Sequence, residues 1–304
     1  MPRIVSLLPG TTEIAVALGL GPDLVGRSHE CDIPEPVCEL PVVTRPKLDV
    51  TASSAAVDSR VKELIRDGLS IYEVDAEALR DLKPDVILTQ TQCEVCAATP
   101  KDLEHALAEW TGTLPSIVAV EPNTLQDVLN DFERVANGCG VAERGTQLRT
   151  QCSVAINRIT HEASLSGASP RVACLEWIDP LMGCGNWIPE LIERAGGLSV
   201  LGAAGQHAEW SSLEALASRD PDFVLLSPCG FDLARTRTEL RKLQEHEGWR
   251  DLRAVRDGRV CLLDGFAHMT RPGPRIAESL EMIAEILHPG QFDFSHRGSG
   301  WETL

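Results

Sequence analysis

Short apolar runs alternate along the chain with stretches whose apolar positions recur at helical spacing, and Gly or Pro stands at most joins. Arg3 to Leu8 reads as a buried strand. Pro9-Gly10 turns the chain, Thr11 or Thr12 caps a helix to about Leu18, and Gly19-Leu20-Gly21 stops it. A short strand around Val25 leads into a polar loop, and Pro36, Pro41 and Pro46 keep the region to Val50 extended. Helices follow over 57–68, 76–82, 100–110 and 124–137, interleaved with strands over 73–75, 85–88 and 116–120. Neither Gly nor Pro occurs between Gly145 and Gly167, and Leu148, Cys152, Ala155, Ile159 and Ala163 share one helical face. That predicts a helix of roughly 20 residues, about 30 Å long.

The pattern then restarts. Strands are predicted over 171–176, 223–226 and 260–263, with helices over 189–195, 233–245 and 276–287. Glu77-Ala78-Leu79 and Pro84-Asp85-Val86-Ile87-Leu88 recur as Glu214-Ala215-Leu216 and Pro221-Asp222-Phe223-Val224-Leu225, both at an offset of 137. Strands alternating with helices imply parallel sheets. The expected class is α/β, with two similar lobes joined by one long helix and a ligand cleft between them. The expected divisions are an N-terminal lobe over 1–140, the connecting helix over 141–168, a C-terminal lobe over 169–288 and a loosely held polar tail over 289–304. A chain of 304 residues exceeds what one core usually supports, which agrees with two lobes.

Ligands of parallel sheets bind beyond the carboxyl ends of the strands. The loops there are Pro9–Thr12, Arg27–Pro34, Thr89–Cys96, Glu176–Asn186, Ser227–Phe231 and Gly265–Pro274. They nominate Pro9, His29, Cys31, Asp32, Gln90, Cys93, Glu94, Cys96, Trp177, Trp187, Cys229, Phe231, Phe266 and His268 as ligand-binding residues. Tryptophan in such loops suits a large, flat, partly apolar ligand. Cys93-Glu94-Val95-Cys96 is a CxxC, open to metal or cluster ligation, redox chemistry or cleft lining. His29, Cys31, Cys229 and His268 are the further donors that a metal site would need.

Composition narrows the function. The formal charge of −17 opposes nucleic acid and anionic membrane surfaces. Ten cysteines read as thiols, and Cys139, Cys152, Cys174 and Cys261 lie in core-like surroundings. The apolar start Ile4–Leu8 is too short for a leader, so a cytosolic protein is expected, or a periplasmic one if a leader has been removed. No stretch approaches a membrane helix. The Gly19, Gly138 and Gly183 GxG triplets lack a third glycine, and GxxxxGK[ST], HExxH and GxSxG are absent, so no catalytic residue is nominated.

Ser6-Leu7-x-Pro9-x-x-Thr12-Glu13 with Leu18-Gly19, Leu82-Lys83-Pro84-Asp85-Val86-Ile87, Ala195-Gly196-Gly197 and Arg271-Pro272-Gly273-Pro274-Arg275 resemble class III substrate-binding proteins of ABC importers. Residues 1–288 fit that order and spacing. Glu30-Cys31-Asp32-x-Pro34 and Thr89-Gln90-x-x-Cys93-x-Val95-Cys96 look like the vitamin B12-binding branch. The resemblance implies a non-catalytic binding protein for cobalamin or a related corrinoid, with Trp177, Trp187 and Phe266 against the corrin. It also implies docking on an ABC permease through surface carboxylates, a role that Glu94 and Asp232 match only loosely. Two alternatives stay open. One is a metal- or iron–sulfur-dependent enzyme with Cys31, Cys93 and Cys96 as ligands; the other is an importer component for a siderophore or haem.

Overall fold

The structure, a computed structural model, describes residues 2–67, 69–91, 100–108, 110 and 112–304. It divides into two compact units. The first takes residues up to 151, apart from 53–55 and 123–125, which belong with 152–304 in the second.

The first unit contains β1 (Ile4–Ser6), α1 (Pro9–Ala17), β2 (Leu24–Arg27), β3 (Thr44–Pro46), α2 (Ser54–Arg66) and β4 (Tyr72–Val74). It continues with α3 (Ala76–Leu82), β5 (Val86–Gln90), α4 (Pro100–Leu107), β6 (Ser116–Val120), α5 (Leu125–Gly138) and the start of α6 (Ala142–Ser164). The main sheet is parallel, ordered β2-β1-β5-β6; β3 and β4 pair antiparallel beside it. β1 and β5 are buried throughout, hence their continuous apolar runs. Val5, Leu7 and Ile87 pack on Leu64, Leu79 and Leu103 of the covering helices.

The second unit holds β7 (Arg171–Trp177), β8 (Met182–Gly183), α7 (Ile188–Arg194), β9 (Leu198–Leu201), α8 (Leu213–Ser218) and β10 (Phe223–Leu226). Then come α9 (Leu233–Glu245), α10 (Arg253–Arg256), β11 (Val260–Leu263), α11 (Ile276–Leu287) and β12 (Trp301–Thr303). Four parallel strands run β9-β7-β10-β11, and β8 and β12 add antiparallel to β7 and β11. Alternate residues Ala173 and Leu175, Val224 and Leu226, and Val260 and Leu262 face one cluster with Trp249.

The two parallel sheets share one order, second-first-third-fourth, as the internal repeat predicts. The repeat has a physical content. Asp75 and Ser212 cap α3 and α8 by accepting from Ala78 N and Ala215 N. Leu79 and Leu216 are fully buried one turn on. Lys83 and Asp220 take the left-handed conformation that ends each helix before its proline. Asp85 and Asp222 then each accept the backbone N–H of the arginine opening the neighbouring strand, Arg3 or Arg171, at 2.7 Å. Each arginine's Nε donates back to the helix end, to Leu82 O or Arg219 O.

Two expectations need correction, at the first helix and at the C-terminal tail, while the long helix falls within its expected span of 141–168. The first helix starts at Pro9, whose fixed φ suits the first helical position; Thr11 and Thr12 lie inside it, bonding back to Leu8 O. The long helix starts at Ala142 and runs 23 residues through Gly145. A Cβ on Gly145 would stand 2.5 Å from Ala136 Cβ, so glycine there lets α6 press against α5. The segment after residue 288 is not a loose tail. It ends in β12, and the buried Glu285 carboxylate of α11 accepts from Phe294 N, His296 N and Trp301 Nε1. Among the described residues, no helix is long and apolar enough to cross a membrane.

Candidate functional site

In the first unit, Pro9, His29, Cys31, Asp32 and Gln90 lie at the carboxyl end of the parallel sheet. Pro9 opens α1 directly after β1. Gln90 ends β5 and is buried. The loop after β2 is shaped by Arg27, whose guanidinium donates to Ser28 O, Cys31 O and Cys38 O at 3.0–3.1 Å, and Asp32 lies half-buried within it. Cys31 is turned into the core. Its sulfur lies 3.0 Å from Thr12 Oγ1 and 3.4 Å from Ser28 Oγ. Burial pushes its thiol above the ordinary range despite those hydrogen bonds, so it stays protonated. Its surroundings suit a packed core thiol.

His29 behaves differently. Its ring Nδ1 lies 2.8 Å from Thr44 Oγ1, and its ring meets Tyr72 at 5.6 Å. Nε2 is buried without a hydrogen bond, 4.0 Å from Glu30 Oε1. Burial, and then Arg27, push the imidazole pKa down. His29 is therefore neutral near pH 7, and in the tautomer that donates from Nδ1–H to Thr44 the lone pair stays on Nε2. Cys93, Glu94 and Cys96 lie outside the described residues. Among those described, no three metal-ligating side chains converge.

In the second unit, the ends of β7, β10 and β11 build one surface. The indole N–H of Trp177 donates to Asp179 O at 3.2 Å, and its ring meets Phe231 at 5.1 Å. Arg235 stacks over Phe231, 3.6 Å from the ring centroid, and Arg271 over Phe266 at 4.4 Å. Phe266 N donates to Phe231 O, so the two arginine–phenylalanine stacks sit on adjoining backbone. Cys229 N donates to Glu176 O, and Glu176 in turn accepts from Gly185 N at 3.0 Å. Gly265 is required where the loops meet: a Cβ there would stand 2.1 Å from Pro228 O.

Not every nominated residue faces this surface. Trp187 is 5% exposed and its indole donates to Met269 O. Phe231 is 2% exposed and supports Trp177 and Arg235 from below. His268 lies 3.5 Å from both Arg275 and Glu278. Burial, with Arg275, His296 and Arg271, pushes its pKa down to about 4, so it is neutral. Sequence reasoning missed Arg235, and it met Arg271 only as part of the motif Arg271-Pro272-Gly273-Pro274-Arg275. It also missed Asn186 and Ser227. Asn186 holds φ +52°, with its side-chain oxygen buried and without a hydrogen bond, and Ser227 Oγ is likewise orphaned at the end of β10. An asparagine between Gly185 and Trp187 was the available signal.

Two α/β units, each with a parallel sheet whose strand ends carry the polar and aromatic loops, define the architecture of a binding protein. Residues 4–266 match the Periplasmic binding protein family, and the chain belongs to it. An uncharacterized ABC transporter substrate-binding lipoprotein of Bacillus subtilis (strain 168), YvrC, is 22% identical over 298 residues, covering 95% of this chain and 81% of that protein. The periplasmic heme-binding protein RhuT of Roseiflexus sp. RS-1 superposes with a TM-score of 0.71 at 22% identity, covering 95% of this chain and 99% of that one. The periplasmic vitamin B12-binding protein BtuF of Vibrio cholerae gives 0.67 at 20%, covering 94% and 96%. At that identity the likeness is one of fold.

Proposed function

We propose that this chain is the substrate-binding component of an ABC importer and that its ligand is a metal tetrapyrrole, a haem or a corrinoid. The observation that carries the reading is the second unit's rim. There Trp177 and Phe266 offer partly exposed aromatic faces beside the half-buried Arg235, whose guanidinium lies over the buried Phe231 ring, while Arg271 is buried over Phe266; a cation beside aromatic faces suits a large ring bearing acidic side groups. The corrinoid reading rests on the sequence resemblance and on the likeness to a B12-binding protein. The haem reading is favoured by the likeness to a heme-binding protein and by His29, a neutral imidazole whose buried Nε2 makes no hydrogen bond. The relatives named as periplasmic or lipoprotein favour work outside the cytoplasm with a permease as partner. They lend no support to a cytosolic placement.

Titration of the full chain with haemin and with cyanocobalamin, followed by visible absorbance and tryptophan quenching, tests the reading. One of them is expected to bind saturably at one equivalent, with affinity falling about tenfold in Trp177→Ala, a loss of about 1.4 kcal/mol. Haem ligation by His29 predicts an altered Soret band in His29→Ala. No saturable binding of either pigment sinks the proposal.

A further inference from the structure

A second concavity of the second unit lies away from the strand-end loops. It holds about 460 Å³ and is lined by Arg171, Leu198, Ser199, Val200, Gln206 and Arg219, among others. Arg171 opens β7 and Trp177 closes it, so this groove and the rim stand at opposite ends of that strand, about 20 Å apart. The groove runs beside β9, which pairs with β7 alone, and is walled by the segment 202–209.

We infer that this groove is a binding site for a small anion, a carboxylate or phosphate carried on a short apolar body. Four observations converge on that chemistry. First, two arginines meet here on a chain of net charge −17. Arg171 spends Nε and one terminal nitrogen on Arg219 O, at 3.1 and 2.6 Å, which fixes its guanidinium at the groove's end beside Arg219. Second, Gln206 and His207 bring further donors, against one carboxylate, Glu209. Third, Ser199 stands half-buried in the wall, with a hydroxyl that makes no hydrogen bond. Fourth, Leu198, 44% exposed, and Val200 supply an apolar wall.

The wall is built before any ligand arrives. Gly202 holds φ +96°, and a Cβ there would stand 1.8 Å from Cys184 O. Asn186 N donates to Gln206 O at 2.6 Å, and Gly205 N donates to Asn186 O at 3.0 Å. The segment 202–209 therefore touches the groove on one side and the Asn186 loop on the other. An anion gripped by Gln206 and the arginines is felt at Asn186 through one hydrogen bond.

The test is a backbone amide NMR titration of the full chain with glutarate, inorganic phosphate and the uncharged diamide of glutarate. Glutarate or phosphate is expected to shift the Leu198, Gly202 and Gln206 amides saturably, with Asn186 following at the same midpoint, and the diamide is expected to shift none. Which anion binds more tightly separates a carboxylate source from a phosphate one. Arg219→Gln, an exposed change that leaves the carbonyl holding Arg171 in place, is expected to weaken binding at least fivefold. Shifts that rise linearly with either anion, or an Arg219→Gln variant that binds as tightly as the parent, overturn the site.

Discussion

Removing the Glu285 carboxylate tests how the last sixteen residues are held. Glu285 sits on α11, 5% exposed, and accepts three N–H groups: Phe294 N, His296 N at 3.4 Å and Trp301 Nε1 at 2.5 Å. A hydrogen bond to a charged acceptor contributes about 1.5–3 kcal/mol net, and a long one such as His296 N contributes less. Trp301 is 7% exposed, so its indole N–H finds no water once the carboxylate is gone. Glu285→Ala should therefore cost about 3–5 kcal/mol. Trp301→Phe keeps an aromatic ring but removes the indole donor and some buried volume, and should cost at least about 1–2 kcal/mol. The double variant should fall short of the sum by about 1 kcal/mol or more, because both changes delete one shared bond. Urea unfolding supplies the three free energies, and limited proteolysis shows whether β12 leaves the sheet edge it shares with β11. A Glu285→Ala protein within about 0.5 kcal/mol of the parent, with its C-terminal segment still protected, would refute the reasoning.

Three further outcomes follow from the same structure. Asp222 is held below the usual carboxylate range: burial alone would raise it, but the Arg171 N–H and the Arg253 guanidinium outweigh that. A carboxyl lowered in the folded state stabilises above its unfolded pKa and loses that contribution as pH falls through the folded one. Asp222→Ala should cost about 2 kcal/mol at pH 7, and its gap to the parent in urea midpoint should close below about pH 4. Gly145→Val places branched carbon where even a Cβ meets Ala136 and should cost at least about 2 kcal/mol by thermal unfolding, whereas Gly140→Val, exposed but at φ +76°, is strained by conformation and not by packing. Cys38 is exposed and Cys31 is fully buried with its pKa raised, so iodoacetamide at pH 7.5 should label Cys38 and reach Cys31 only on unfolding, as peptide mass mapping would read.

The parts legible in the sequence are those where one local rule decides the outcome. Pro84-Asp85 and Pro221-Asp222 end a helix and begin a strand for the same reason, and the repeat carried the shared strand order with it. Elsewhere tertiary contact overrides a local signal. Gly145 marks a helix boundary by propensity, yet the close approach of α5 retains it within α6. The polar composition after residue 288 hides Phe292 and Trp301, both buried. Leu198–Leu201 is too short a run to stand out as a strand.

The candidate site shows the same division. Trp177 stands at the end of β7 itself, and position after a parallel strand placed His29 and Phe266 in strand-end loops. It could not tell which way a side chain turns. Trp187 and Cys31 point into their cores because Met269 O and the Thr12 and Ser28 hydroxyls receive them there. No local pattern links Arg235 to Phe231 or Arg271 to Phe266, and only the fold brings each over its phenylalanine ring.

Calorimetric titration of the full chain with haemin and cyanocobalamin, at one protein concentration and in the same buffer, tests the central claim most directly. The account predicts one saturable site of one-to-one stoichiometry for one of the two. It is contradicted if neither pigment gives heat or saturation while the protein remains folded by circular dichroism.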